Sequence, residues 1–90
     1  MTQVLYNASD EKNIQFKNEF KKTHNQPSTI LMFRLGNTYK VYQEDATKCA
    51  EKLCKSTENG NLEFSHNMLD VYLPKLIRWG YRVAIVDGQY

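Results

Sequence analysis

Cysteine is scarce in this 90-residue chain, with only Cys49 and Cys54 present. Their five-residue separation on an expected helix points the two thiols in different directions, which is poor disulfide geometry and excludes a disulfide scaffold. Reduced thiols are expected. His24 and His66 are far apart in sequence, and no pair of Cys or His stands at metal-site spacing, so no zinc site can be assembled. Glycine is sparse too. The four glycines form neither a G-x-G-x-x-G nor a G-x-x-x-x-G-K-[ST] pattern, so the phosphate-cradling loop of a nucleotide-binding enzyme is missing. No cofactor is expected. Long apolar runs are absent as well: nothing approaches roughly eighteen consecutive apolar residues, so no segment is expected to span a membrane. The opening stretch, Met1 to Asp10, lacks both the basic n-region and the apolar h-region of a secretory signal. These absences together lead to the expectation of a cytoplasmic domain.

Charge of one sign is also lacking. Twelve basic residues against ten acidic ones leave a net charge of +2, too small to draw nucleic acid by long-range attraction. Any DNA contact has to be local, made where some of Lys17, Lys21, Lys22, Lys40, Lys75, Arg78 and Arg82 gather on one face. Charges on solvated faces are the plainer expectation.

What is present is a foldable composition: 41% hydrophobic, 12% aromatic and 24% charged, ordinary for a globular protein and wrong for a disordered one. Ninety residues suit one modest core, and a single domain over residues 1–90 is expected, with 1–9 as a loose leader. Asp10 and Glu11 lie where a helix start favours negative charge and Lys21 and Lys22 where its end favours positive charge, which predicts a helix over 10–23 with few apolar positions: Ile14, Phe16 and Phe20. Asn25-Gln26-Pro27-Ser28 breaks it as a loop.

The apolar run Thr29 to Leu35, the turn pair Gly36-Asn37 and the run Thr38 to Tyr42 form the clearest hairpin in the chain. Its first strand has nearly unbroken apolar character and is expected to be central, buried on both faces. Ala46, Cys49, Ala50, Leu53 and Cys54 mark one side of an amphipathic helix over 44–55. Asn59-Gly60 is expected to close a second, shorter hairpin whose return strand includes Leu62 and Phe64. Leu69, Tyr72, Leu73, Leu76 and Ile77 have helical spacing, and Gly80 stands where a left-handed C-cap is wanted, which predicts a helix over 67–79. Pro74 inside it calls for a kink or for a start near Asp70. Tyr81 to Val86, apolar on both alternating faces from Val83, reads as a buried strand. The element order is α-β-β-α-β-β-α-β, an α+β arrangement (α/β in the broad sense) in which helices flank a mixed sheet.

No nucleophile, base or metal constellation can be assembled from these residues, so the chain is not expected to be an enzyme. Cys49 and Cys54 sit on or beside an apolar stripe, as buried structural thiols do. Tyr39, Tyr42, Tyr72, Trp79 and Tyr81 could stack on bases if exposed, but core packing is the plainer expectation for them.

Phe33-Arg34-Leu35-Gly36-Asn37-Thr38-Tyr39-Lys40-Val41-Tyr42, followed by Asp45-Ala46, resembles the F-R-x-G-D-F-Y-E-x-F…D-A signature of the N-terminal, mismatch-contacting domain of the MutS DNA mismatch-repair family. A second block, Tyr72-Leu73-x-Lys75-Leu76-Ile77-x-x-Gly80-Tyr-x-Val83-Ala84-Ile85 and then Gln89, is similar to that family's Y-L-x-K-L-x-x-x-G-x-x-V-A-I-C-E-Q. With the first helix the resemblance covers about residues 12–89, while 56–68 matches poorly. It implies a mixed sheet flanked by helices. It also implies a domain that inserts an aromatic wedge beside a mispaired base, where unstacking kinks the duplex, while a nearby glutamate hydrogen-bonds that base.

The family's F-x-E falls on Thr38-Tyr39-Lys40. Threonine has no ring to stack, and lysine cannot accept a hydrogen bond from a base but can approach a phosphate. Tyr39 is expected on the opposite face of the strand from Thr38. The ending Val86-Asp87-Gly88-Gln89 likewise replaces the family's C-E-Q. The resemblance therefore implies a DNA-associated module that contacts double-stranded DNA without mismatch readout, through Arg34, Asn37, Thr38, Tyr39, Lys40, Lys75 and Arg78. The alternative is a protein-interaction module that retains the fold and meets a protein partner or further domains. Ninety residues leave no room for the lever, clamp and ATPase domains of that family, so either a stand-alone derivative or a piece of a longer product is expected.

Overall fold

The computed structural model describes residues 8–24 and 28–88. The elements follow in the order α1 (Ala8–His24), β1 (Thr29–Leu35), β2 (Thr38–Tyr42), α2 (Gln43–Leu53), β3 (Asn61–Ser65), a single 3-10 turn (His66–Met68), α3 (Leu69–Arg78) and β4 (Arg82–Asp87). One mixed sheet holds the strands in the order β3-β2-β1-β4, with β2 antiparallel to both its neighbours and β4 parallel to β1. The α+β class and the mixed sheet flanked by helices are as the sequence predicts.

β1 earns its central place through its unbroken apolar run. Ile30 and Met32 face the core under α2 and α3, Leu31 and Phe33 face the core under α1, and all of them are buried. The hairpin to β2 closes on Gly36, whose φ of +63° is the left-handed first position of a tight strand-matching turn that glycine adopts without steric cost. β2 then alternates: Tyr39 and Val41 join the α2/α3 core, while Tyr42 packs under α1.

The buried side of α1 is largely polar. Asp10, Asn13 and Lys17 are buried beside Ile14, at i, i+3, i+4 and i+7, so the helix has a sheet-facing stripe that an apolar count does not register. Phe16, one of its few apolar residues, is half exposed and contributes edge-on contact with Phe33 at 6.1 Å. α1 opens at Ala8, so the last two residues of the expected leader are helical. The rest of that leader, the loop residues 25–27 and Gln89 lie outside the described residues.

Two expectations are corrected. The hairpin around Asn59-Gly60 has its turn, with φ of +52° and +77° and paired bonds of 2.8 Å between Glu58 and Asn61, but no first strand precedes it. A lone bridge, Glu58 to Asn61, replaces it, because β3 takes its ladder from β2 instead and Ser56-Thr57 offer no apolar face to bury. β4 is the second correction. Among the described residues it sits at the sheet edge with only β1 beside it, and none of its residues is fully buried. Its apolar alternation is real, yet α1 and α3 cover each face only in part.

The last helix begins at Leu69 after the 3-10 turn, which places Pro74 in its second turn. This is the late start that Pro74 predicts. Gly80 takes the expected left-handed φ, at +90°. α2 ends two residues earlier than expected, with Cys54 itself in the left-handed conformation and its N–H donating to the Ala50 carbonyl.

Candidate nucleic-acid interface

The residues that sequence reasoning gathers into one surface are spread over three places. Thr38 and Lys40 lie on the α1 side of the hairpin and Arg34 and Tyr39 on the opposite side, because neighbours along a strand alternate. Lys75 and Arg78 end α3 beside the start of β4, whose Arg82 pairs with Thr29, whereas the Gly36-Asn37 turn lies at the other end of β1. Seven strand residues separate these ends, roughly 20 Å of chain.

At the hairpin each side chain is committed differently. Thr38 Oγ1 donates to the Leu35 carbonyl at 3.1 Å, so its hydroxyl closes the turn. Tyr39 is buried against Phe64, with ring centroids 5.7 Å apart, and no base can stack on it. Arg34 is exposed: its Nε donates to the Gly36 carbonyl at 3.1 Å and its guanidinium lies 5.6 Å from the Tyr39 ring centre. Asn37 is exposed as well, and its carbonyl accepts from the His66 N–H at 2.8 Å, tying the tip to the 3-10 turn.

Lys40 is held. Its ammonium donates to both carboxylate oxygens of Asp10, at 2.9 and 3.1 Å, with Glu63 at 3.9 Å, and its side chain is only 15% exposed. Asp10 also accepts from the Tyr42 hydroxyl at 2.8 Å, and that hydroxyl accepts from the Asn13 amide at 3.0 Å. Burial pushes the Tyr42 phenol above its ordinary value; the Asn13 hydrogen bond works against this, and bonding to Asp10 and its charge add to it. The polar stripe of α1 continues downward. Lys17 donates to Glu44 at 3.0 Å, and Lys21 bonds both Asp45 and the Thr29 carbonyl. The Leu31 N–H donates to buried Asp45 at 3.2 Å. Burial pulls the Glu44 carboxyl upward, but its own backbone N–H, then the hydrogen bond and charge of Lys17, outweigh this and hold it below its ordinary value.

Sequence reasoning missed this network, since Asp10, Asn13 and Lys17 read as ordinary helix surface. A helical i, i+3, i+7 repeat of polar residues in a helix short of apolar ones was the available signal. Among the described residues no group of His, Cys, Asp and Glu is placed to hold a metal ion, and no helix is long and apolar enough to cross a membrane.

The fold is a mixed-sheet α+β domain that presents an exposed β1–β2 turn. The chain matches the family described as MutS domain I over residues 14–90, and it belongs to that family. It is similar to the DNA mismatch repair protein MutS of Cytophaga hutchinsonii, 41% identical over 70 residues that span 68% of this chain and 8% of that protein. The MutS proteins of Parabacteroides distasonis, 46% identical over 70 residues (68% of this chain, 8% of that protein), and Phocaeicola vulgatus, 42% over 80 residues (77% and 9%), are similar too. The chain thus spans less than a tenth of the length of the curated relatives it matches. By this kinship it is a homologue of one domain of DNA mismatch repair proteins.

Proposed function

We propose that this chain is a non-catalytic, DNA-associated module that meets duplex DNA through its β1–β2 turn without distinguishing mismatched from paired bases. One observation carries the reading. At the positions of the family's aromatic wedge and glutamate, the Thr38 hydroxyl is spent on the Leu35 carbonyl and the Lys40 ammonium is locked onto Asp10. Neither a stacking ring nor a free acceptor faces a base there. Arg34 and Asn37, exposed at the tip, are the groups left to meet phosphate oxygens, and such contacts position a duplex without reading its sequence. Lys40 drops out of the phosphate-contacting set for the same reason, and Lys75 and Arg78 lie at the other end of the sheet. The test is titration of fully paired and singly mismatched duplexes of equal length at low salt, followed by anisotropy. Equal affinities that weaken with salt and fall in Arg34→Gln are expected; a mismatch preference, or no binding, overturns the reading.

A second reading, a protein-interaction module, draws support from one side of the molecule. Ile85 of β4 is 44% exposed, and the outer edge of β4 has no strand beside it among the described residues. An uncovered apolar strand edge is a template for another chain. Concentration-dependent self-association or capture of a defined partner that Ile85→Lys abolishes, in a protein that binds no duplex, is the result that favours it.

A further inference from the structure

The far end of α3 carries an arrangement that the hairpin does not use. Trp79, the chain's only tryptophan, caps α3 with 61% of its surface exposed. Lys52 of α2 sets its ammonium 4.3 Å from the centre of that ring, and Lys52, Lys75, Arg78 and Trp79 line one shallow depression. Lys55, the next cation along, lies 5.5 Å from the Tyr72 ring. Glu51, itself 71% exposed, stands 3.9 Å from Lys52.

Cations at two helix ends are favoured by the helix dipoles alone. That does not account for an indole left open among them. Lys52 stands over the ring while 61% of the residue's surface stays open, and Lys75, at i−4 from Trp79, and Arg78 line the same depression. A protein-binding hot spot gathers several apolar side chains around its aromatic anchor. Here Val71, two turns back, is the exposed apolar residue on this flank, while Ile77 is about 160° around the helix from Trp79. One aromatic platform ringed by cations is the pattern that takes an unstacked base and its adjoining phosphates.

The geometry points to a single-stranded nucleic-acid contact at this end of the domain, in which a base stacks on Trp79 while Lys75, Arg78 and Lys55 meet the flanking phosphates. A duplex keeps its bases stacked on one another and offers none to the indole. The site is separate from the β1–β2 turn and does not depend on the duplex reading given above.

Because Trp79 is the only tryptophan, its emission reports the contact directly. Titration of the full chain with a short oligothymidylate at low salt is expected to quench that emission saturably, whereas a duplex of equal length leaves it unchanged. Trp79→Ala, checked for folding by circular dichroism, is expected to weaken binding of a labelled oligothymidylate about five- to 150-fold, the range that one stacked base contributes. Lys75→Gln and Arg78→Gln are each expected to lower the slope of log affinity against log salt by about 0.7. Absence of quenching, or unchanged affinity in Trp79→Ala, overturns the inference. Equal quenching by polyglutamate overturns it too, and assigns the patch to an acidic protein segment. Two variants separate the sites: Arg34→Gln is expected to weaken duplex binding with quenching intact, and Trp79→Ala to weaken oligothymidylate binding with duplex binding intact.

Discussion

The Lys40 ammonium of β2 and the Asp10 carboxylate of α1 meet at 2.9 Å, with both side chains largely out of solvent, at 15% and 9% exposure. The pair fastens the first helix to the hairpin at the position on which the resemblance sets the family's glutamate. Lys40→Glu places a carboxylate against Asp10 and near Glu63, and is expected to destabilise the fold by about 3 kcal/mol or more, as breaking a buried ion pair does. Urea denaturation measures this. The double variant Lys40→Glu with Asp10→Lys is expected to recover part of the loss, and a loss equal to that of Lys40→Glu alone contradicts the pairing.

Tyr42 holds the same network from below. Tyr42→Phe removes the hydroxyl that accepts from Asn13 and donates to Asp10, and is expected to cost about 1–3 kcal/mol because buried polar groups lose a partner while packing stays almost unchanged. A thermal-melt shift of several degrees checks it.

Asp45 anchors the other end of α1. Its carboxylate, fully buried, accepts from the Leu31 N–H and from Lys21. Asp45→Ala is expected to cost about 3 kcal/mol, more than Glu44→Ala, whose carboxylate is 60% exposed. Equal midpoints for the two variants in urea contradict that ranking.

Stability also falls in alkali. Burial, then the charge of Asp45, pushes the Cys49 thiol from 9.0 up to about 12, and burial first raises the Tyr42 phenol above 10.0. In each case the folded state keeps its proton where the unfolded chain has lost it. The stabilisation is therefore complete below the unfolded values and drains away as pH rises above about 9 for Cys49 and above 10 for Tyr42, by at most about 1.4 kcal/mol per pH unit per group. Urea midpoints from pH 8 to pH 10 are expected to fall, and to fall less in Cys49→Ala. Cys54, which is exposed, is expected to react with a thiol reagent in the native state while Cys49 stays protected until unfolding.

Much of the fold is legible in the residues themselves. The β1 run, Gly36-Asn37, the α2 stripe and Gly80 are local signals, and each reports a local preference of the chain: burial on two faces, a tight turn, an amphipathic face, a left-handed cap. The strand before Asn59-Gly60 was not legible correctly, since the turn chemistry is local but the choice of ladder partner belongs to β2. β4 misleads for a similar reason. Its apolar pattern states what the strand can bury, and only its place at the sheet edge decides how much it does bury.

The candidate site divides in the same way. That Thr38 lacks a ring, that Lys40 lacks an acceptor and that Tyr39 points away from both follow from side-chain chemistry and the two-residue period of a strand, and need no coordinates. That Lys40 is spent on Asp10, thirty residues away in sequence, and that Lys75 and Arg78 belong with Lys52 and Trp79 instead of the hairpin are decided by tertiary structure alone. Charge acts through space, so a cation's availability depends on which carboxylates the fold brings within a few ångströms, and no reading along the chain supplies that distance.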